Sequence, residues 1–515
     1  MAEKVKDVFK YLDENHRSIA FDEFTITDER TAEFDRDDVS MAGRLSRRIG
    51  APNPILTSPM TTVTEDEMGI AAAKAGGAGV IHCANTPDEQ KKLLTKVKFH
   101  LNGIVDRPIL ASADKTVGET LEELDNAGHD FRSLPVTDEN GRFMGLMTNT
   151  VFEFYKGDDS HTPIAKAMIP ADQVPTASSD IRDDPHAAYD AMRHYKIKLL
   201  PLLDENYRVD GLYLLDDVQR AIEGNPRGYN LDASGRLITA MAVSTWSRDA
   251  MERIQESGKY LDLVVIDTSH GESKYTFSAV KAMRQAIRLV KNLREEYGAI
   301  DIMVGNVSDP EPAVALVKAG ADAIRVGRGP GGICISREKL GGGTPQASAI
   351  YNCAKAVRKI DKKVAICADG GIRGPGDMVK ALLLGANCVM VGGLVAATDE
   401  AAAEVMRRAD GTEYKEYNGM GSAKELRRSW AARLRYDPSF EAPNLDDDDI
   451  RVRVEGVEKE LPLRGPVAPI FREMAYDVTT EMYNGAFKKL KQLRKGGHIT
   501  LTGQAGLLEG RASSS

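Results

Sequence analysis

Apolar and polar positions along most of the chain are arranged in blocks that predict strands followed by helices. From residue 237 onward, short apolar and β-branched runs begin near residues 237, 261, 300, 323, 363 and 387, and a helix-length segment separates most of them from the next. The segment that begins at Asn53 has the same order of strand, loop, helix and strand. Strands that alternate with single helices predict a parallel sheet in an α/β protein.

The ends of these strands indicate which parallel fold to expect. Several runs end in Gly, Asp or Asn, and such residues at strand carboxyl ends are typical of the active-site edge of a (β/α)8 TIM barrel. An open, doubly wound sheet is the alternative, but no GxGxxG sequence opens a helix after the first strand. We therefore predict a (β/α)8 TIM barrel.

The middle of the chain follows a different pattern and contains an internal repeat. The segment that begins at Ser133 aligns with the one that begins at Leu199, and each reads as strand, polar turn, strand and start of a helix. We predict an inserted module at about 106–222, with repeats at about 106–160 and 163–222, between barrel segments 1–105 and 223–515. A ligand sensor and a plain duplicated lid both fit this pattern.

Composition and charge limit the classes of partner. The chain has 515 residues and a formal net charge of −9, which argues against non-specific binding to nucleic acid or to an anionic membrane. No apolar run is long enough for a membrane span, and the charged N-terminus lacks the apolar core of a signal peptide, so we expect a cytoplasmic protein. The cysteines show no CxxC spacing, which predicts reduced thiols rather than disulfides or a zinc cluster.

One cysteine differs from the other four in its surroundings. Cys334 follows the glycine-rich loop 327–332, which comes directly after a predicted barrel strand, and Ser336 lies two residues further on. Glycines in such a loop permit positive φ angles and a close approach of the backbone to a ligand. Because a thiolate is a strong nucleophile, Cys334 is the candidate nucleophile, whereas a free cysteine in a helix or strand is usually a small buried hydrophobe.

Several separated motifs occur together in this chain. They are GRGPGGICIS at 327, SPMTTVTE at 58, IDTSHG at 266, VGNV at 304, ADGGIRGPGDMVKALLLGA at 368 and YNGMGS at 417. Together they resemble the inosine monophosphate (IMP) dehydrogenase family, and the likeness covers nearly the whole chain. The duplicated middle segment resembles the tandem cystathionine-β-synthase-type (CBS) modules that this family carries inserted in its barrel. The resemblance implies NAD-dependent oxidation of IMP to XMP in guanine nucleotide biosynthesis.

The resemblance also implies the catalytic roles. Cys334 would add to carbon 2 of the purine, hydride would pass to NAD, and water would hydrolyse the resulting thioimidate to XMP. Ser336 stands where the family usually has threonine and keeps the hydroxyl group. Arg435 and Tyr436 match the arginine–tyrosine pair that activates this water, within a predicted mobile flap at about 411–465.

The family's contacts with IMP can be transferred to matching positions. Asp369 would accept hydrogen bonds from the ribose, and neighbouring glycines would offer backbone N–H groups to the phosphate. The implied substrate-binding set is Ser58, Gly332, Asp369, Gly370, Gly371, Gly392, Gly393, Tyr417, Met420, Gly421 and Glu455. Gly332 and Gly393 replace serines of the family pattern, so two phosphate-binding hydroxyls are missing and backbone groups or another side chain must take their place.

NAD and a monovalent cation are the implied cofactors. The implied NAD contacts are Asp267, Thr268, Ser269, Asn306 and Arg325. As an isolated feature, Asp267 is equally compatible with a helix cap at a strand end. Potassium would be held by carbonyl groups of Gly329, Gly331 and Cys334, and by Glu509, Gly510 and Arg511 of a neighbouring subunit.

The resemblance extends to assembly and regulation. It implies a homotetramer whose inserted module binds adenine or guanine nucleotides as effectors. Asp217 in the second repeat is placed to meet a ribose, whereas the matching position in the first repeat is Val151, which speaks against a nucleotide site there.

Two other functions stay open at this point. A GMP reductase, which converts GMP and NADPH to IMP and ammonia, is favoured by Glu455 and by the Gly-Pro-Gly of the loop, but such enzymes lack the Arg-Tyr pair. A non-catalytic purine-nucleotide sensor is favoured by the glycines at 332 and 393.

Overall fold

The computed structural model describes residues 3–28, 30–101, 104–105, 108–126, 133–155, 157–182, 184–223, 228–290, 299–436 and 454–503. It divides the chain into two compact units, one formed by residues up to 99 together with those from 226 onward, and one formed by residues 100–225. Among the described helices, none combines the length and the apolar character that a membrane span needs.

The larger unit is built on a closed barrel of eight parallel strands, which confirms the predicted fold. In chain order the barrel strands are β5 (Ile55–Thr57), β6 (Ala78–Ile81), β15 (Ala240–Val243), β16 (Leu263–Asp267), β17 (Asp301–Val307), β18 (Ala323–Val326), β19 (Ala365–Asp369) and β20 (Cys388–Val391). Nearly every residue of these strands is buried, as is expected for strands that pack a barrel interior on one face and helices on the other.

Seven helices follow barrel strands and pack around them. They are α2 (Asp66–Lys74), α3 (Pro87–Lys98), α9 (Ser247–Ser257), α10 (Lys274–Val290), α11 (Pro310–Ala319), α13 (Gln346–Ile360) and α14 (Pro375–Leu384). Three of them, α3, α11 and α14, begin with proline, which suits the first turn of a helix because its missing N–H has no partner there. Strand β20 is not followed directly by such a helix. A longer segment with strands and helices of its own intervenes, and α17 (Ala468–Asn484) then packs against α14.

Further elements of the larger unit lie outside this alternation. They are β1 (Glu3–Lys4), α1 (Val5–Glu14), β2 (Phe24–Ile26), β3 (Gly43–Arg44), β4 (Gly50–Ala51), α12 (Ser336–Leu340), β21 (Val405–Arg407), β22 (Glu413–Asn418), α15 (Ala423–Arg428), α16 (Trp430–Tyr436), β23 (Glu458–Pro462), α18 (Leu490–Gly496) and β24 (His498–Leu501). Strands β1, β24 and β2 form one small sheet, and β21, β22 and β23 form another. In the chain, strands β21 and β22 precede α15 and α16, and β23 follows them.

The smaller unit contains two four-stranded sheets. The first joins β8 (Ala111–Ser112), β9 (Leu134–Thr137), β10 (Phe143–Met147) and β11 (Ile169–Pro170), and the second joins β7 (Ile104–Val105), β12 (Ala177–Ser178), β13 (Leu199–Leu203) and β14 (Val209–Leu214). The helices of this unit are α4 (Val117–Asn126), α5 (Asn149–Phe154), α6 (Ile164–Ala167), α7 (Pro185–Tyr195) and α8 (Leu215–Glu223).

The two copies of the repeat meet at equivalent positions. Arg142 pairs with Arg208 in an antiparallel bridge, and the N–H of Phe143 donates to the carbonyl of Tyr207 at 2.9 Å. The copies also exchange strands, because β7, which precedes the first copy, completes the sheet of the second copy, and β11, from the start of the second copy, completes the sheet of the first. Pairing therefore draws residues 104–105 into this unit, although the sequence analysis assigned them to the barrel.

Candidate functional site

Polar groups collect at the carboxyl ends of five consecutive barrel strands. Strand β16 ends at Asp267, β17 carries Asn306 near its end, and β19 ends at Asp369. Strands β18 and β20 lead into the glycines at 327 and 392. Because all strand carboxyl ends of a parallel barrel meet at one edge, these groups lie around a common pocket.

The loop after β18 is shaped by glycines that no other residue could replace without strain. Gly327 has a φ of 146°, and a side chain there would lie 2.0 Å from the carbonyl oxygen of Asp369. Gly329 has a φ of 72° and packs against Arg337. Both values lie in the left-handed region that glycine tolerates. The loop then turns back through a hydrogen bond of 3.0 Å from the N–H of Cys334 to the carbonyl of Gly331.

Cys334 differs from the other cysteines in exposure as well as in position. Its side chain is half-buried, whereas the other four cysteines are buried. Its Sγ lies 3.2 Å from the Oγ of Ser336, which is the first residue of α12. A thiol that opens onto a pocket beside a hydroxyl group is suited to attack a bound ligand.

The segment around Glu455 crosses directly over the cysteine loop. The N–H of Ile335 donates to the carbonyl of Glu455 at 2.9 Å, and the N–H of Val457 donates to the carbonyl of Ile333 at the same distance. Cys334 and Gly456 face each other in an isolated antiparallel bridge. Glu455 is thereby fixed at the pocket wall next to the candidate nucleophile.

A charged network lies at the wall of the pocket, and Asp267 lies behind it. Arg325 donates through Nε to Asp369 at 2.8 Å and through Nη1 to Asp267, and Asn306 donates to Asp369 at 2.6 Å. Arg435 forms an ion pair with the other carboxylate oxygen of Asp267. These charges are nearly buried, so each depends on its partner to offset the loss of hydration.

The network sets the protonation state of its members. Burial alone would raise the pKa of Asp267, but the charges of Arg435 and Arg325 lower it below the ordinary value. Burial also opposes the charge of Arg435, yet Asp267 raises the pKa of that guanidinium above its ordinary value. Asp267 is therefore a carboxylate and Arg435 a cation in this arrangement.

Helix α16 brings Arg435 and Tyr436 to the pocket together. The carbonyl of Arg435 accepts hydrogen bonds from the N–H of Ser269 at 3.1 Å and from its Oγ at 2.9 Å. The Tyr436 ring lies against Gly421, where an added side chain would come within 2.7 Å of the ring. Burial raises the pKa of Tyr436 to about 12, so its hydroxyl stays protonated near neutral pH.

The structure brings most of the predicted site residues to one pocket. The predicted residues that line it are Ser58, Ser269, Asn306, Arg325, Gly329, Gly331, Cys334, Ser336, Asp369, Gly370, Gly392, Tyr417, Met420, Arg435, Tyr436 and Glu455. Those that lie next to lining residues without lining the pocket are Gly332, Gly371, Gly393, Gly421, Asp267 and Thr268. The remaining three, Glu509, Gly510 and Arg511, lie outside the described residues.

Three polar atoms at the pocket have no hydrogen-bond partner among the described residues. They are Oγ of Ser58, Oδ1 of Asn306 and Nε of Arg435. Buried polar groups are nearly always paired in folded proteins, and an orphan at a pocket wall is a typical ligand contact. These atoms lie on separate elements, so a ligand that satisfies all three would have to span the pocket.

One end of the pocket is lined by glycine backbone. Gly370 and Gly371 have φ angles of 81° and 75°, and both pack against Pro330. A side chain on Gly392 would lie 2.8 Å from the hydroxyl of Tyr417 and the same distance from Oγ of Ser58. Burial, and then the charge of Asp369, raise the pKa of Tyr417, so its hydroxyl is also available as a donor.

A cation that the sequence did not predict lies near the glycine-lined end of the pocket. Arg464, which follows β23, donates through Nη1 to the carbonyls of Gly393 and Leu394, each at 3.0 Å. No motif marks this residue, because the turn of chain that brings it beside Gly393 depends on the pairing of β22 with β23. A side chain at Gly332 would meet nothing within 4 Å, so space does not explain the absence of serine there.

The described residues contain no cluster of His, Cys, Asp and Glu that could hold a metal ion. The predicted potassium site uses carbonyl oxygens instead. The carbonyl of Gly331 already accepts the N–H of Cys334, and a carbonyl oxygen has a second lone pair for another contact. The carbonyl of Gly331 can therefore accept one further contact, as a cation would require.

Comparisons with known proteins agree on one family. The model of the IMP dehydrogenase / GMP reductase domain matches residues 18–513. Curated relatives include the inosine-5'-monophosphate dehydrogenase of Helicobacter pylori, which is 32% identical over 96% of this chain and 95% of its own. That of Aquifex aeolicus is 34% identical over 90% of each chain. Among solved structures, GMP reductase from Trypanosoma brucei in complex with guanosine 5'-monophosphate has a TM-score of 0.77 at 29% identity, covering 97% of this chain and 98% of that one.

Proposed function

The chain belongs to the IMP dehydrogenase / GMP reductase family, and from this premise we propose that it oxidises IMP to XMP with NAD through a covalent adduct on Cys334. Its curated relatives are IMP dehydrogenases, which are NAD-dependent oxidoreductases. The observation that carries the detailed proposal is the convergence of Cys334, Ser336 and the Arg435–Tyr436 pair on one pocket.

The first half of the reaction uses Cys334. Its thiolate adds to carbon 2 of the hypoxanthine ring, and the hydride on that carbon leaves to NAD, so that the carbon–sulfur bond remains in a thioimidate. Ser336, whose Oγ lies 3.2 Å from Sγ, is the group placed to hydrogen bond the sulfur or the ring during this step. The carbonyl of Glu455 fixes the N–H of Ile335, which keeps the sulfur directed into the pocket.

The second half is hydrolysis. Water adds its oxygen to carbon 2, the carbon–sulfur bond breaks, and the thiolate returns to Cys334. Since Asp267 holds Arg435 as a cation, we assign Arg435 to stabilise the developing hydroxide rather than to accept a proton. The hydroxyl of Tyr436 accepts the proton of the attacking water while its own proton passes to a second water molecule in the pocket, which releases it to bulk solvent.

The nicotinamide end of NAD and Arg435 compete for Asp267 in this proposal. Ser269, Asn306 and Arg325 line the pocket and fit the cofactor, but the oxygens of Asp267 are taken by Arg325 and Arg435. We propose that a ribose hydroxyl takes the place of the guanidinium at Asp267 when α16 withdraws. In this proposal, the arrangement with Arg435 on Asp267 belongs to the hydrolytic half, and α16 moves away for the hydride step.

The nucleotide is oriented by its sugar and phosphate. Asp369 directs Oδ2 to Arg325 and Asn306, which leaves Oδ1 for a ribose hydroxyl. The phosphate binds to the backbone N–H groups of the glycines at 371, 392 and 393, to Ser58 and to Tyr417. Two serine hydroxyls of the family pattern are missing here. Arg464, beside Gly393, takes their place as a charged donor for the phosphate.

Potassium, assembly and regulation follow from the resemblance and are part of the proposal. The carbonyls of Gly329, Gly331 and Cys334 would hold a potassium ion, which supplies positive charge that stiffens the cysteine loop. The enzyme is proposed to act in the cytoplasm as a homotetramer. Its duplicated module, proposed to be a CBS pair, would bind adenine or guanine nucleotides as effectors.

GMP reductase is the second candidate, because Glu455 lies against the cysteine loop and a GMP reductase is a structural neighbour over nearly the whole chain. The experiment that separates the two follows reduced nicotinamide by its absorbance, first with IMP and NAD and then with GMP and NADPH. We expect NADH to form in the first mixture. Consumption of NADPH with release of ammonia in the second, and no NADH in the first, would overturn the proposal.

A further inference from the structure

A second cleft lies at the opposite end of the barrel from Cys334. Helix α13 begins at Gln346, whose side chain donates to the carbonyl of Asp369 at the site, and Arg358 lies twelve residues further along, or about 18 Å away. The cleft is formed by the chain's first strand and helix, the last turns of α13 and α14, and α18. Its lining residues are Lys4, Val5, Lys6, Tyr351, Lys355, Arg358, Leu383, Leu384, Arg494, Lys495 and Gly497.

The charge of this cleft is uniform. Six of its lining residues are cations and none is an acid, although the whole chain carries a net charge of −9. Lys355 lies 4.0 Å from the carboxylate of Asp13 at the rim, where both side chains are half exposed. The other five cations form no ion pair within the part of the chain that the structure describes. A local excess of one charge in a concave surface is typical of a binding site for the opposite charge.

Two of the cations are arginines that the fold holds in place. Arg358 donates to the carbonyl of Gly385 at 2.6 Å, and Arg494 donates through Nε to the carbonyl of Leu382 at 3.0 Å and through Nη2 to that of Ala386. All three carbonyls belong to the carboxyl end of α14 or the turn after it. A guanidinium has five N–H donors, so each arginine keeps donors for a ligand while its orientation is already set.

The arginines repel one another as they stand. Burial, and then the charges of Arg358 and Arg44, lower the pKa of Arg494 to about 9. Burial and Arg44 also lower the pKa of Arg358. Capping of α14 explains the bonds to the carbonyls. It does not explain why two partly buried guanidiniums and four lysines share a cleft that has no carboxylate.

We propose that this cleft binds a chain of phosphate groups, such as a triphosphate. Guanidiniums pair with phosphate oxygens through two parallel hydrogen bonds, and lysines add charge without directional demand. Six cations spread along the cleft suit a ligand with several negative charges better than a single carboxylate. The leucines and Val5 give the cleft apolar walls, which strengthen the electrostatic attraction by excluding water.

The test uses the full-length enzyme with saturating IMP, so that the barrel site is filled. Binding of inorganic tripolyphosphate, and separately of ATP and GTP, is measured by titration calorimetry. The cleft variant is Lys355→Glu with Lys495→Glu, and the matched control is Lys359→Glu with Lys491→Glu, which makes the same charge change on α13 and α18 outside the cleft. All four lysines are exposed, so the fold and NADH production should persist in both.

We expect tripolyphosphate to bind the unaltered enzyme and the control, and to bind the cleft variant at least about tenfold more weakly. If ATP and GTP lose affinity in the same variant, the cleft accepts the phosphate chain of a nucleotide. If they do not, it accepts free polyphosphate. Absence of saturable tripolyphosphate binding to the unaltered enzyme, or equal weakening in the two double variants, would overturn the proposal.

Discussion

At the scale of single residues, the candidate nucleophile Cys334 is distinguished from the other cysteines by its position on a loop that opens onto the pocket. Cys334 is half-buried beside Ser336, whereas Cys353 is buried within α13 and burial raises the pKa of its thiol to about 12. A thiol with such a pKa is almost entirely protonated near neutral pH and is a poor nucleophile. Only Cys334 combines access to the pocket with a hydroxyl neighbour.

This difference gives a paired prediction. Cys334→Ala should abolish NADH formation and also the covalent nucleotide adduct that mass spectrometry detects after acid quenching, because no carbon–sulfur bond can form. Cys353→Ala should keep both signals and lose only a modest amount of thermal stability through the small cavity it leaves. Normal turnover by the Cys334→Ala variant would contradict the covalent mechanism.

Arg464 supports a second prediction at the same scale. Its two hydrogen bonds hold the guanidinium beside the backbone of Gly393. Hydrogen bonds to charged groups contribute about 1.5–3 kcal/mol, so Arg464→Ala should raise the KM for IMP roughly ten- to hundredfold while kcat changes little. Steady-state kinetics with IMP check this.

Arg408→Ala is the control for Arg464, because Arg408 lies beside the same small sheet and pairs with Glu460 at an exposed position. It should leave the KM unchanged. Turnover of inosine, which lacks the phosphate, should be equally poor with and without Arg464. A KM for IMP that stays constant in the Arg464→Ala variant would exclude it from phosphate binding.

At this scale, some site residues could be predicted from the sequence and others could not, for a physical reason. The loop around Cys334 and the strand-end residues Asp267 and Asp369 could be predicted because each motif is contiguous and its geometry is local. Arg464 could not, because its position depends on strand pairing. The ion pair of Asp267 with Arg435 was also missed, since it joins residues from two distant segments.

At the scale of elements, α16 is the part whose position decides, in the proposed mechanism, which half-reaction the site carries out. Its first residue, Trp430, packs edge to face against Trp246 with ring centroids 5.3 Å apart, and its end is held by Arg435 on Asp267. The chain has two tryptophans, and both are in this pair. The sequence predicts a mobile flap at about 411–465, and the described part of that segment holds two strands and two helices.

We expect Trp430→Ala to slow hydrolysis more than hydride transfer. An edge-to-face pair contributes about 0.5–1.5 kcal/mol, so its loss should lower the docked fraction of α16 by up to roughly tenfold. A rapid burst of NADH should then be followed by slower turnover, with more adduct trapped on Cys334. Trp430→Phe keeps a ring at this position and should behave nearly like the unaltered enzyme.

Tryptophan fluorescence provides an independent measurement of the same motion. Since both tryptophans lie at this contact, addition of NAD to the IMP complex should change the emission if α16 withdraws to admit the cofactor. An adduct level in Trp430→Ala equal to that of Trp430→Phe, together with unchanged emission on adding NAD, would contradict the assigned role of α16.

At the scale of the whole molecule, the barrel was the most predictable feature and the exchange of strands in the smaller unit the least. Barrel strands are buried on both faces, so they read as continuous apolar runs, each bounded by polar loops. Strands β7 and β11 are two residues long. Each is defined as a strand only by its pairing, β7 with β14 and β11 with β10. No periodicity marks such short strands.

The division into two units leads to the last prediction. Each predicted site residue lies before residue 100 or after residue 225, and the smaller unit has hydrophobic clusters formed from its own residues. Replacing residues 100–225 by a short Gly-Ser linker should therefore leave IMP oxidation within a few-fold of the full chain. Effects of adenine or guanine nucleotides that act through the duplicated module should disappear.

The same deletion separates the two proposed anion sites. All residues of the cationic cleft belong to the barrel unit, so tripolyphosphate should still bind the shortened enzyme with unchanged affinity. A nucleotide effect that survives the deletion but is lost in Lys355→Glu with Lys495→Glu would arise at the cleft. One that follows the opposite pattern would arise at the module, and inactivity of a folded shortened enzyme would show that catalysis depends on the inserted unit.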